Sequence, residues 1–216
     1  MKIVLFGASG NIGQRIAAEG LRRGHEIVGV VRDPAAVGSR GPRVTLVKGD
    51  ATSSDSVTGI VQGADAVVSA ISPRPNARGL PAPSLAANAR ALIAGLRASG
   101  VKRVLYVGGA SSLEVASGQM LADLPDFPDI YKAEAQEGRE ALAVWRAEAE
   151  GLDWTYLSPA AEIGPGERTG TYRTTGDQLL VDAAGKSFIT FEDYAVAVLD
   201  ELERPQHVGR RFGVAY

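Results

Sequence analysis

The residues with the clearest chemistry are Gly7-Ala8-Ser9-Gly10-Asn11-Ile12-Gly13. They directly follow an apolar run over 2–6. They open a segment over 11–23 whose apolar Ile12, Ile16 and Leu21 fall on one helical face. A glycine-rich turn between a strand and a helix N-terminus suits a pyrophosphate. Gly7 permits the tight turn, Gly10 lets the backbone approach the phosphates, and Gly13 lets the helix pack close to the sheet. Unpaired N–H groups of the first helical turn and the positive end of the helix dipole then face the anion. The spacing is GxxGxxG rather than GxGxxG, and glycines alone would also make a plain strand–helix turn. No Gly-Lys-Ser/Thr follows, so this is not a Walker A loop. Dinucleotide binding is the expectation.

The next strand, over 27–31, ends in Arg32, with Asp33 one residue later. An acidic residue at that place would accept from a ribose 2′-hydroxyl. A guanidinium instead pairs with a 2′-phosphate and stacks on adenine. The expected cofactor is therefore NADP, with NADPH preferred and NAD possible. The alternative is a surface arginine, with Asp33 capping a turn before Pro34.

Composition removes other chemistries. The 216 residues contain no cysteine, which excludes disulfides, thiolate metal sites and cysteine nucleophiles. Only His25 and His207 are present, which argues against a histidine zinc site or a Ser-His-Asp triad, so no metal is expected. A net charge of −2 gives no electrostatic footprint for nucleic acid. No apolar run approaches the roughly 20 residues of a membrane span. The sequence starts on a strand rather than a signal peptide, so a cytoplasmic location is expected.

Stepwise alternation positions these residues. Strands are expected over 27–31, 44–47, 66–71 and 104–107, with helices over 54–62 and 84–99. Strands that are apolar on both faces and alternate with helices make a parallel sheet covered on both sides. The expected class is α/β: a Rossmann-type doubly wound sheet in a single domain, 1–216, with a small substrate-site insertion over 164–186. Further on, 132–150 reads as a helix, 154–157 as a strand, and 191–202 as a helix capped by Thr190. Tyr172 and 179–181 are short strand candidates, and 212–214 a last edge strand. The proline-rich stretch 72–83 is a loop.

On these residues the chain resembles the atypical short-chain dehydrogenase/reductases of the NmrA-like NAD(P)-binding group, and within it the NADH-flavin reductases related to biliverdin reductase B. The resemblance is carried by Gly7–Gly13, Val31-Arg32-Asp33-Pro34, Gly49-Asp50-Ala51-Thr52, Val68-Ser69-Ala70-Ile71, Val107–Ser112, Tyr131-Lys132-Ala133-Glu134-Ala135, Leu157-Ser158-Pro159-Ala160, the run from Pro165 to Leu180, and Glu192-Asp193-Tyr194-Ala195. It covers almost the whole chain. It implies that Gly7, Ser9, Asn11, Ile12 and Arg32 contact the phosphates and adenosine. Asp50 and Ala51 would border the adenine, Asp50 accepting from its amine. Ser69, Ala70 and Ile71 would pack on the ribose side. Ser158, Pro159 and Ala160 would lie beside the nicotinamide. The plainer alternatives are a turn residue for Asp50 and a strand terminator for Ser158-Pro159.

The superfamily's usual catalytic set is a serine with Tyr-x-x-x-Lys. Here Ser111 and Ser112 follow the fifth strand, but Tyr131 has Ala135 four residues on. Lys132 is adjacent to the tyrosine, about 100° away around a helix, and does not substitute. That departure suits hydride transfer to a flavin or similar planar acceptor, where solvent can supply the proton and the protein mainly binds and orients. Ser111 or Ser112 would bond the acceptor or the nicotinamide amide, and Tyr131 would stack on it. Each also has a plain reading, as a turn residue or a half-buried aromatic. Arg168, Thr171, Tyr172 and Arg173 in the insertion, and Arg74 and Arg78 in the 72–83 loop, are candidates for acceptor contacts or simple surface charge. His25 is given no role, and His207 is expected on the surface. The alternatives to a flavin-type reductase are a biosynthetic reductase, epimerase or dehydratase on the same scaffold, or a non-catalytic NADP-sensing regulator. The other partner expected is a small-molecule acceptor, and the chain would be a monomer or a homodimer.

Overall fold

The computed structural model describes residues 1–37, 44–73 and 83–216. The strands are β1 (Lys2–Phe6), β2 (Glu26–Val31), β3 (Val44–Lys48), β4 (Ala66–Ser69), β5 (Arg103–Val107), β6 (Glu114–Ala116), β7 (Gln119–Met120), β8 (Asp153–Ser158), β9 (Glu162–Gly164), β10 (Arg173–Thr175), β11 (Phe188–Thr190) and β12 (Arg210–Ala215). The helices are α1 (Asn11–Arg22), α2 (Ser54–Val61), α3 (Leu85–Ser99), α4 (Lys132–Glu148) and α5 (Phe191–Glu203). Eight strands form one sheet in the order β10-β12-β8-β5-β4-β1-β2-β3. All neighbours are parallel except the outermost pair, β10 against β12. The expected α/β doubly wound class is what the chain adopts.

The strands form because their residues are apolar on both sides. Along β1, Ile3 and Leu5 join one core while Val4 and Phe6 join the other, and all four are fully buried. Helices α1 and α5 pack together over the first face. Helices α2, α3 and α4 cover the second, around Leu92, Leu96, Tyr106 and Trp145. Truncating one such buried side chain to alanine costs about 2–5 kcal/mol, so each face has a strong claim on its helices. Hydroxyl caps start three helices. Ser53, Ser84 and Thr190 accept from Ser56, Ala87 and Asp193 N–H, the last at 3.0 Å as expected for Thr190.

The order in which strands are added reverses between the parallel neighbours β1 and β4. The chain runs outward one way through β2 and β3 and the other way through β4, β5, β8 and β12. At such a switch point the loops leaving the carboxyl ends part and leave a crevice for a ligand.

Two expectations about the second half are corrected. The strand over 212–214 is not an edge: β12 lies between β8 and β10, because Arg173–Thr175 adds outside it. Residues 179–181 are not a strand. Only an isolated bridge, Gln178 to Glu114, occurs there, followed by Leu179 N–H donating to the Glu114 carbonyl. The hairpin β6–β7 and the small parallel pair β9–β11 were not foreseen, since two- and three-residue strands leave no periodicity to read.

Candidate functional site: a dinucleotide cleft and its rim

At the switch point the glycine turn is shaped by backbone crowding. Gly7 leaves β1 at φ +80°, and a Cβ there would stand 2.5 Å from the Ala70 carbonyl oxygen at the end of β4. A Cβ on Gly13 would stand 2.1 Å from the Gly7 carbonyl oxygen. The protein's own packing therefore demands both glycines. Gly10 differs. It is the N-cap of α1 with an ordinary extended backbone, and its absent Cβ would meet only the Gly7 carbonyl, at 3.4 Å. The first intrahelical bond is Gln14 N–H to Gly10 carbonyl, so the N–H groups of Asn11, Ile12 and Gly13 have no helical acceptor. No side chain caps this end and no acidic residue lies in its first turn. The N-terminus of α3, by contrast, is closed by Ser84 and by the Glu137 carboxylate, which accepts from Leu85 N–H at 2.7 Å. The α1 end thus fits an anion approaching past Gly10.

Beside it lies a cleft of about 860 Å³ lined by Arg32, Lys48, Asp50, Thr52, Ser84 and Ala87 among others. Asp50 is exposed, and one carboxylate oxygen accepts from Thr52 N–H at 2.8 Å and Thr52 hydroxyl at 2.7 Å. These bonds, the hydroxyl first, hold its carboxyl below the usual range and keep it an acceptor. It is both a turn residue and a carboxylate at the cleft. Arg32 and Lys48 leave the ends of adjacent strands, and neither forms an ion pair with a described residue. Lys48 had not been singled out, because an edge-strand lysine reads as solvated charge.

The Ser69 side chain is placed differently from expectation. It is fully buried, and its hydroxyl donates to Asn88 Oδ1 at 3.0 Å. Asn88, equally buried on α3, donates through Nδ2 to the Ala51 carbonyl at 2.7 Å. The pair ties β4 to the 49–52 turn rather than facing a ribose. Ala70 and Ile71, both partly exposed, follow at the rim. Asn88 was missed because a single asparagine inside an alanine-rich helix carries no motif.

At the carboxyl end of β8, Ser158 closes the strand fully buried, followed by buried Pro159 and Ala160. Its hydroxyl oxygen has no hydrogen-bond partner, a costly state for a buried polar atom and one that a ligand amide would relieve. Ser111 is partly exposed and reaches α4, its hydroxyl 3.5 Å from the Ala135 carbonyl. Ser112 is buried and its hydroxyl accepts from Arg211 at 3.0 Å, so it does not share Ser111's access. Tyr131, 42% exposed, stands at the N-terminus of α4 beside Ile130, which is 80% exposed. Lys132 pairs with Asp129 at 2.6 Å. The rim therefore brings Ser111 and the start of α4 together without a Tyr–Lys pair.

The insertion's candidate side chains are engaged within the chain. Arg168 makes a two-pronged pair with Glu19 on α1, at 2.8 and 3.0 Å. Tyr172 donates to Asp200 on α5 at 2.6 Å, Arg173 donates to the Val181 and Tyr216 carbonyls, and Thr171 N–H bonds the Thr169 hydroxyl. These residues strap the α1–α5 layer and the sheet edge. Arg74 and Arg78 lie outside the described residues. His25 stays structural, bridging the N-terminal amine and Glu203. His207 is partly exposed, and there it packs flat on Phe212 and bonds Glu201 at 2.9 Å. No group of acidic or histidine residues able to hold a metal occurs among the described residues. None of their helices is long and apolar enough to cross a membrane.

Comparison with known proteins agrees with this geometry. The NAD(P)H-binding family profile matches residues 7–205. A Burkholderia pseudomallei protein, provisionally named as exported, shares 44% identity with a TM-score of 0.89 over all of both chains. A Bacteroides thetaiotaomicron protein, provisionally named an epimerase, shares 38% over all of this chain and 96% of that one, with a TM-score of 0.88. A Streptococcus pneumoniae protein, provisionally named an NADH-flavin reductase, shares 30% over all of this chain and 99% of that one, with a TM-score of 0.81. With a glycine turn that opens an uncapped helix at the switch point of this sheet, and a family profile matched over nearly the whole chain, the chain belongs to the NAD(P)H-binding family.

Proposed function

We propose that the chain is an NAD(P)H-dependent reductase that passes hydride to a flavin or a similar planar acceptor. The bound nicotinamide supplies the hydride. The chain's own residues bind and orient. Asn11, Ile12 and Gly13 N–H groups take the pyrophosphate, with Gly7, Ser9 and Gly10 as the turn around it. Asp50 and Ala51 border the adenine, and Arg32 pairs with a 2′-phosphate, which favours NADPH. Ala70 and Ile71 flank the ribose, and the unsatisfied Ser158 hydroxyl, with Pro159 and Ala160, receives the nicotinamide amide.

One observation carries the choice of acceptor. The rim offers a hydroxyl, Ser111, and an exposed apolar pair, Ile130 and Tyr131, but no lysine aimed at the tyrosine. Such a rim holds a flat, hydrophobic acceptor and leaves its protonation to water. The acceptor wall is thus the 111–131 segment in place of 164–186. The test is loss of nicotinamide absorbance when the purified protein is mixed with NADPH or NADH and FMN, FAD, quinones or carbonyls. Turnover with flavin or quinone is expected. Turnover with carbonyls alone would replace this reading.

The name of the Bacteroides relative favours a second reading, an epimerase or other biosynthetic reaction in which Tyr131 acts as the acid. It requires the Tyr131 hydroxyl in turnover, which the first reading does not.

A further inference from the structure

We propose that Arg211 is a positioning residue: from β12, with Asp177 as its counter-ion, it sets the loop that presents Ser111 to the cleft. This rests on the reading that the nicotinamide and its acceptor meet at that loop.

Arg211 is 6% exposed, and a buried guanidinium is tolerated only when paired and hydrogen-bonded. Its donors are spent on two segments distant in sequence. Nη1 donates to both the carbonyl and the hydroxyl of Ser112, each at 3.0 Å. Nε donates to Asp177 Oδ1 at 2.6 Å, and Nη2 makes a second contact with the same carboxylate. Arg146 of α4 reaches that oxygen too, at 2.9 Å. The backbone is pinned in parallel. Glu114 N–H donates to the Asp177 carbonyl and Leu179 N–H to the Glu114 carbonyl, both at 2.8 Å.

With the Ser112 carbonyl and hydroxyl both held, and the Ser111 carbonyl accepting from Ala122 N–H at 3.0 Å, the Ser111 hydroxyl has only its 3.5 Å approach to Ala135. The clamp fixes the backbone on the Ser112 side of Ser111, the partly exposed serine of the pair, and the Ala122 bond holds the Ser111 carbonyl itself. It also gives the insertion a part in the site that none of Arg168, Thr171, Tyr172 or Arg173 plays. The segment acts on the rim through Asp177, from the side of the sheet.

The test uses Asp177→Asn, Asp177→Glu and Arg211→Lys in the full chain. Asp177 is 45% exposed, so its replacements open no core cavity and act through the charge and hydrogen bonds they remove from Arg211. Amide hydrogen exchange over 109–114, affinity for 2′,5′-ADP and for NADPH, and steady-state NADPH oxidation with FMN are measured. In Asp177→Asn and Arg211→Lys, exchange at 109–114 is expected to rise about tenfold while 2′,5′-ADP, which carries no nicotinamide, binds as in wild type. The kcat is expected to fall about tenfold with KM for NADPH within about twofold, and Asp177→Glu to recover most of it. Unchanged exchange, an unchanged kcat, or a loss of 2′,5′-ADP affinity equal to that of NADPH would each overturn the assignment. Absence of turnover in the wild type would instead remove the reductase reading. The clamp is then judged on exchange at 109–114 rising while 2′,5′-ADP affinity stays at the wild-type value.

Discussion

Gly13 packs against the Gly7 carbonyl so closely that a methyl group at position 13 would lie 2.1 Å from its oxygen. The same methyl at Gly10 would lie 3.4 Å from that atom and touch nothing else. The two glycines therefore separate fold from ligand. Gly13→Ala is expected to destabilise by about 3 kcal/mol, the upper end of ordinary overpacking, which lowers Tm by roughly 6–12 °C in a chain of this size. Gly10→Ala is expected to keep Tm within about 2 °C yet weaken NADPH binding tenfold or more, because its Cβ enters the phosphate approach. Paired thermal melts and titrations check both. Equal Tm losses would show that Gly10 is structural as well.

Arg32 and Lys48 are the two cations at the adenosine end without an ion pair to a described residue. Arg32→Ala is expected to weaken NADPH about tenfold or more and NADH by less than about threefold, since a charge-assisted bond to a 2′-phosphate contributes about 1.5–3 kcal/mol. Equal losses for the two cofactors would show that Arg32 does not read the 2′-phosphate. Lys48→Gln should move in the same direction by a smaller factor.

Acid should unfold the protein through its buried carboxylates. Burial disfavours the Glu19 anion, but bonds from Arg22, Arg168 and Arg23 outweigh it and hold the carboxyl well below its ordinary 4.5. Asp193 is opposed by burial and held low by Thr169, Tyr216 and the Gly170 and Thr169 amides. A folded-state value below the unfolded one means stability that is full above the unfolded value and lost as pH falls through the folded one. The denaturation midpoint is therefore expected to be flat above about pH 5 and to fall steadily below pH 4. Glu19→Gln should cost roughly 3 kcal/mol at pH 7 and flatten the acid limb, as urea melts across pH would record.

The Tyr131 hydroxyl distinguishes the two functional readings. Tyr131→Phe is expected to leave flavin or quinone reduction within about threefold, because a stacking ring is retained. A loss of 10²–10⁴-fold, the usual contribution of a general acid, would favour the second reading. Ser111→Ala should lower kcat modestly, and Ser112→Ala should act like a weakened clamp on Arg211.

What the sequence determined by itself is local. Gly7, Gly10 and Gly13 sit between a strand and a helix, and that placement together with their spacing makes a phosphate turn the expectation. Strands apolar on both faces, alternating with helices, announce a parallel sheet, since each residue's burial follows from its own type and its immediate neighbours. The hydroxyl cap Thr190 was legible for the same reason. What only the tertiary structure decided is pairing at a distance. Arg168 meets Glu19 across 149 residues and Arg211 meets Ser112 across 99. A charged side chain reads the same in sequence whether it faces an acceptor or a carboxylate from another helix. Ser111 and Ser112 are adjacent and alike in sequence, yet a buried guanidinium claims one and leaves the other partly exposed. Likewise, β12 became an interior strand only because three residues of the insertion paired outside it. Long-range hydrogen bonds select among partners that composition makes equivalent, and that selection is made when the sheet closes.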